Sequence, residues 1–165
     1  MSSDRALTSR SVADKLIQHY KLTPHLEGGY FRETYRSTGS TAILYLLANG
    51  QKSRLHRLKS DEMWHYYTGN APLNLVTIEN NKLKTIKLGH NIDQNEVVQA
   101  IVPAGVWFGA YMESHGYALM GCTVSPAFDI KDYQVISNEE IVSILDRPSE
   151  QDISLVKYLM LPPET

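Results

Sequence analysis

Between Tyr30 and Val124 the chain is a succession of short runs rich in Tyr, Ile, Val, Leu, Thr and Phe, broken about every ten residues by Gly, Asn, Asp or Pro. That spacing is the strongest constraint on the fold, because runs of this length are too short for helices and their breaks carry turn chemistry. The runs are Tyr30 to Arg36, Thr41 to Ala48, Ser53 to Arg57, Glu62 to Thr68, Pro72 to Glu79, Leu83 to Leu88, Glu96 to Val102, Trp107 to Glu113 and Tyr117 to Val124. Asn80-Asn81 and Ser114-His115-Gly116 suit hairpin turns, since Asn and Gly tolerate positive φ. So many strands in so short a segment predict an all-β sandwich or closed barrel.

Helical spacing flanks this segment. Val12, Ala13, Leu16, Ile17 and Tyr20 predict one amphipathic helix over Ser9 to Tyr20, ending before Pro24. Ile141, Ile144 and Leu145, then Ile153, Val156 and Leu159 beyond Pro148, predict a short helical tail. No repeat or linker composition divides the 165 residues, so a single domain over 1–165 is expected, with its barrel core at about 25–135.

A formal charge of −2 without a run of Lys and Arg provides no footprint for nucleic acid or an anionic membrane. Met1 to Arg10 has no apolar stretch, and nowhere do about 18 apolar residues occur in succession, so a cytoplasmic protein is expected. The lone cysteine, Cys122, cannot close an intramolecular disulfide and lies in an apolar alternating run, where a buried thiol behaves as a small hydrophobe.

Two segments stand out. The first runs from Ser53-Arg54-Leu55-His56 through Leu58, Glu62, Trp64 and Tyr66 to Gly69, and the second is Val102-Pro103-Ala104-Gly105-Val106-Trp107-Phe108. His56, Glu62 and Gly69 resemble the first cupin motif, and Pro103 and Gly105 the second. The segment His25 to Tyr35, together with Pro103 to Gly109 and Gly121 to Asp129, is similar to an uncharacterised cupin family with an RmlC-like jelly-roll barrel. The resemblance implies a double-stranded β-helix, with the predicted helices outside it and His56 and Glu62 pointing into the barrel. It also implies a homodimer, for which Tyr30 to Arg36 is the candidate crossing strand.

Metal-dependent cupins bind their ion through two His and one Glu of the first motif and one His of the second. Leu58 and Phe108 stand at two of those four positions, and neither donates, so no metal and no other cofactor is expected. His65 has the opposite strand parity to Glu62 and should face away from the barrel. There is no Gly-x-Ser-x-Gly elbow and no phosphate loop, and Gly28-Gly29 reads as a tight turn.

What remains is a pocket for an unidentified small polar molecule. His56 and Glu62 are the candidate catalytic residues, and Arg32, Glu33, Tyr35, Arg54, Trp64, Tyr66 and Phe108 the candidate ligand contacts. For the charged members of this set a surface position competes with a pocket position, and for Trp64 and Tyr66 core packing competes with ligand contact. A His, a Glu and aromatic walls can bind a polar ring and move a proton from carbon. Arg54-Leu55-His56 resembles the Arg-x-x-adjacent base of RmlC-type epimerases. The expectation is a metal-independent isomerase or epimerase of a sugar-like metabolite, with a non-catalytic metabolite-binding cupin as the alternative.

Overall fold

The computed structural model describes residues 12–163, so the start of the predicted first helix, Ser9 to Ser11, lies outside the described residues. Helix α1 spans 12–20. Eleven strands follow: β1 (Thr23–Pro24), β2 (Tyr30–Arg36), β3 (Thr41–Ala48), β4 (Lys52–Arg57), β5 (Asp61–Gly69), β6 (Leu73–Glu79), β7 (Lys82–Leu88), β8 (Gln99–Val102), β9 (Trp107–Met112), β10 (Tyr117–Ser125) and β11 (Gln134–Val135). Helices α2 (Asn138–Ile144) and α3 (Glu150–Met160) close the chain, each begun by a serine capping box, at Ser137 and Ser149.

The strands form two antiparallel sheets, ordered β1-β2-β3-β10-β5-β8 and β11-β4-β9-β6-β7. Strands adjacent in space are distant in sequence, as in β3–β10 and β4–β9, which is the jelly-roll way of closing two sheets over one interior. The inner faces meet in a core that includes Tyr45, Leu58, Trp64, Leu73, Leu75, Phe108, Met112 and Met120. On the outside, α1 sets Ala13 against Leu46, Ala48 and Leu119 of the larger sheet. Helices α2 and α3 cover the smaller sheet, where Ile141, Leu145, Val156 and Leu159 pack on Leu55, Val76, Ile78 and Trp107. The predicted architecture is therefore the observed one, an all-β jelly roll with an N-terminal helix and a short helical tail.

Side-chain alternation produces this layering. Along β5, Glu62, Trp64 and Tyr66 are buried, while Met63 and His65 are only half-buried and Tyr67 is exposed. His65 faces outward, stacked on Tyr67, as its parity requires. At Asn80-Asn81 both residues have positive φ, 52° and 62°, which is the backbone of a tight hairpin turn.

Strand β8 is shorter than the run Glu96 to Val102 implies. Asn95 turns left-handed, and the Glu96 carboxylate folds back to accept the Asn91 N–H at 3.1 Å, which holds residues 91–96 in a turn. Strands β1 and β11 lack any hydrophobic run, and only their partners β2 and β4 draw them into the sheets. Among the described residues no helix is long and apolar enough to cross a membrane.

Candidate functional site

One end of the barrel interior is hollow, a cavity of about 240 Å³. Its walls include Phe31, Ile43, Tyr45, Leu58, Trp64, Val124 and Phe128, and its ionisable groups are His25, Glu27, Glu33, Arg36, His56, Glu62 and Cys122.

His56 lies on β4, 2% exposed, between the rings of Phe108 and Tyr133 at 4.2 and 5.2 Å. Its Nδ1 is 2.6 Å from the Arg54 carbonyl oxygen, which can only accept, so Nδ1 carries a proton. Nε2 is consequently the basic position of the ring, and it lies 3.2 Å from Oε1 of Glu27. The Ser53 hydroxyl donates to the other oxygen of Glu27 at 2.9 Å. Burial holds the His56 imidazole down at about 4, the Arg54 hydrogen bond only partly offsetting it, and burial likewise pushes the Glu27 carboxyl up. Both directions favour the uncharged pair, with the shared proton on Glu27 and its O–H directed at Nε2.

The turn before β2 delivers Glu27 to this position. Gly28 and Gly29 have φ of 114° and 73°, and a Cβ on Gly28 would run into the Lys52 carbonyl oxygen. The Arg54 N–H donates to the Glu27 carbonyl at 2.9 Å, and Tyr45 donates to the Gly28 carbonyl at 2.6 Å, so the turn is tied to β4 and β3. Within it, His25 Nδ1 accepts the Glu27 N–H at 3.0 Å.

Glu62 and Trp64 enter the cavity from β5, on the sheet facing β4. Burial, reinforced by the neighbouring Glu27 carboxyl and opposed by a hydrogen bond with Cys122, raises the Glu62 carboxyl to about 8. Among the described residues its Oε2 and the indole Nε1 of Trp64 have no hydrogen-bond partner, and both atoms are buried. Burial, followed by the neighbouring carboxyls, pushes the Cys122 thiol well up, so it stays an inert thiol. At the rim Arg36 is paired: Nε and one terminal nitrogen grip Glu33 at 2.7 and 2.8 Å, and the other donates to the Phe128 carbonyl at 2.9 Å.

Of the residues expected in the pocket, the structure brings His56, Glu62, Trp64 and Glu33 together. Phe108 lies behind His56 and packs on its ring without reaching the cavity wall. Tyr66 points inward but further along β5, where its hydroxyl donates to the Ala71 carbonyl at 2.8 Å and its ring meets His90. Arg32 has the opposite parity to the cavity-lining Phe31 and Glu33 and is exposed, and a register shift between Glu33 and Tyr35 leaves Tyr35 exposed as well. Arg54 faces the outer layer and donates to the Met160 carbonyl at 2.9 Å, tying down the end of α3.

Sequence reasoning missed Glu27, Ser53, His25 and Arg36. The carboxyl against the His56 ring is Glu27 rather than Glu62, the candidate catalytic carboxyl read from the sequence. The available signal was the segment His25-Leu26-Glu27-Gly28-Gly29, read there for its family likeness and its glycine turn and not for its carboxyl. Leu58 forms part of the cavity wall and Phe108 covers His56, so two ligand positions of the metal-dependent cupins carry hydrocarbon. Among the described residues no three His, Cys, Asp or Glu side chains are grouped to hold a metal ion. The donor set does not fit that metal.

The comparisons with known proteins agree with this architecture. A solved structure from Shewanella oneidensis is 33% identical and superposes with a TM-score of 0.80, covering 91% of this chain and 98% of its own. An uncharacterized protein of Saccharomyces cerevisiae is 24% identical over 85% of this chain and 83% of its own. Streptomyces PAC13, solved with uridine and described as a nucleoside dehydratase, shares the fold at 15% identity and a TM-score of 0.52, over 72% of this chain and 88% of its own. The family profile described as cupin superfamily (DUF985) matches residues 14–136, and the chain belongs to that family.

Proposed function

We propose that the protein is a metal-independent proton-transfer enzyme, an isomerase or epimerase of a small, polar, sugar-like ring. The observation that carries this reading is the buried contact between His56 Nε2 and Glu27, with the tautomer locked by the Arg54 carbonyl. A base needs a fixed position and a neighbour that takes up the proton it already holds, and the pair has both. Glu27 passes its proton to His56 Nε2, the freed carboxylate takes the proton from carbon, and the electrons of the C–H bond move into an adjacent electron-accepting group of the ring. The proton then returns to the neighbouring atom or to the opposite face, so atoms and charge balance. Glu62, protonated at neutral pH, is the acid on the facing sheet.

Mass spectrometry of small molecules that co-purify with the protein identifies the ligand. Incubation of candidates, nucleosides and free sugars first, in deuterated water then tests catalysis by NMR. Deuterium should enter carbon with the wild type and fall by about 10²–10⁴-fold with His56→Ala. The rate should rise as pH passes about 4, where His56 loses its proton, and fall as pH passes about 8, where Glu62 ionises. A bound ligand that never takes up deuterium leaves the binding-only reading in place.

Homodimer assembly is part of the same proposal. Strand β2 pairs with β1 only at Tyr30 and Phe31, which leaves its edge from Arg32 to Arg36 without a strand partner in the described chain. Sedimentation at micromolar concentration should show twice 18.7 kDa, and a lone 18.7 kDa species would refute it.

A further inference from the structure

The two unpartnered atoms of the cavity point to the class of molecule it takes, an argument that rests on the proton-transfer reading. Glu62 and Trp64 are two residues apart on the inward face of β5, 7% and 2% exposed, and both border the cavity. A buried polar atom without a partner is costly, by about 1–3 kcal/mol, and is kept where a ligand supplies the partner. The indole N–H is a donor only. Cys122 hydrogen-bonds the Glu62 carboxyl, and Oε2 is the oxygen left without a partner among the described residues.

The same walls say what the ligand lacks. The lining arginine, Arg36, is paired with the Glu33 carboxylate and donates to the Phe128 carbonyl, and burial lowers the pKa of both lining histidines, His25 and His56. Among the described residues, then, no lining cation is free to meet a phosphate or a carboxylate. A cavity of about 240 Å³ lies below the roughly 300–1,000 Å³ of common ligand pockets and suits one ring.

We propose that Trp64 Nε1–H and the Glu62 carboxyl clamp the oxygen-bearing edge of an uncharged, single-ring carbonyl compound, with its α-carbon turned toward the Glu27–His56 pair. Donors placed at a carbonyl oxygen strengthen their hold as negative charge develops there, so the clamp makes the neighbouring C–H acidic enough for that pair to remove its proton. The electrons of that bond become the enolate held at Trp64 and Glu62, and they return to carbon when the proton does. Phosphorylated or carboxylated rings are rejected because no unpaired cation offsets the cost of burying their charge.

The test compares uncharged probes, benzamide, 2-pyridone and cyclohexanone, with benzoate, the anion of benzamide's shape. The protein has two tryptophans, so an amide correlation spectrum of ¹⁵N-labelled protein shows two indole N–H signals, assigned with Trp107→Phe. At least one uncharged probe should bind at millimolar concentration or better, shift the Trp64 signal downfield, and bind at least tenfold tighter than benzoate. Trp64→Phe should weaken that probe about tenfold, while Glu62→Gln, which keeps a polar group in place, should preserve most of its affinity. Benzoate binding as well as the uncharged probes, an unmoved Trp64 signal, or no binding by any of the three would overturn the proposal. Binding as expected without deuterium uptake by any ligand would end the proton-transfer reading and leave the clamp. Uptake accompanied by tight benzoate binding would do the reverse.

Discussion

The barrel interior has two ends built from the same strands, and they are finished in opposite ways. Toward Gly69 the interior is filled: Leu73, Leu75, Leu88, Ala110 and Met120 are 0% exposed, and the buried Tyr66 hydroxyl is satisfied by the Ala71 carbonyl. Toward Asp61 the same inward positions carry His56, Glu62 and Trp64 around a hollow, with Glu27 swung in by a glycine turn and two polar atoms left without partners. One end stabilises the fold by close packing; the other holds polar groups in a setting that disfavours their charged forms. Local rules broken at one place and kept at its neighbour mark the place where chemistry, not folding, set the residue.

Truncation should separate the two ends most sharply. Leu75→Ala, in the filled end, is expected to lower stability by about 2–5 kcal/mol, because it removes buried methyl groups and leaves a void. Chemical denaturation measures it, and a loss below about 1 kcal/mol would mean that the two ends are packed alike.

Glu62→Met should act in the opposite direction. Replacing a buried carboxyl with an unmet oxygen by an apolar side chain of similar length is expected to raise stability by about 1–3 kcal/mol at pH 7, while abolishing proton transfer. A destabilised variant would show that Glu62 has a structural partner after all.

The same contrast has a pH signature, of at most about 1.4 kcal/mol per pH unit for each group. Glu62 is raised from 4.5 to about 8, so its contribution is fully present below pH 4.5 and is lost as pH rises toward 8. His56 is lowered from 6.5 to about 4, so its contribution is present above 6.5 and lost as pH falls toward 4. The two oppose each other between about 4.5 and 6.5, and the net effect is a loss of stability from about pH 6.5 to 8. Glu62→Gln should flatten most of that loss, Glu27 being the other raised carboxyl, and an unchanged slope would place the titration elsewhere.

The smallest effect belongs to the rim. Arg36 and Glu33 are half-exposed, with side-chain exposures of 51% and 35%, so solvent screens the pair and Arg36→Ala should leave the denaturation midpoint nearly unchanged despite the short contacts. A larger change in a double-mutant cycle with Glu33→Ala would make the pair a structural brace.

Much of the fold was legible because strand alternation and turn residues are local signals. Tyr30–Arg36 and Thr41–Ala48 appear in the structure with the boundaries read from sequence, and the inward set Glu62, Trp64 and Tyr66 follows from parity alone. The turn at residues 91–96 escaped because backbone bonds around Ile92–Gln94 and the Glu96 carboxylate on the Asn91 N–H close it, and neither leaves a periodic signal. The site was half legible. His56, Glu62 and Trp64 stand in or beside a motif whose spacing can be seen, whereas Glu27 acts on His56 from 29 residues away in sequence, and no period connects the two.

The sequence by itself determined most of the layers: the long strands, which face of β5 is inward, that helical segments flank the barrel, and that two motif histidines are replaced by Leu58 and Phe108. These are properties of neighbouring residues and need only backbone sterics and the segregation of apolar side chains. Only the tertiary structure decided which end of the barrel stayed hollow, that Arg54 turns outward to α3 while His56 turns inward, and that Glu27 is the carboxyl the imidazole meets. Those outcomes depend on how the two sheets close over each other, and a proton's place between two buried groups depends on contacts that exist only once they have closed.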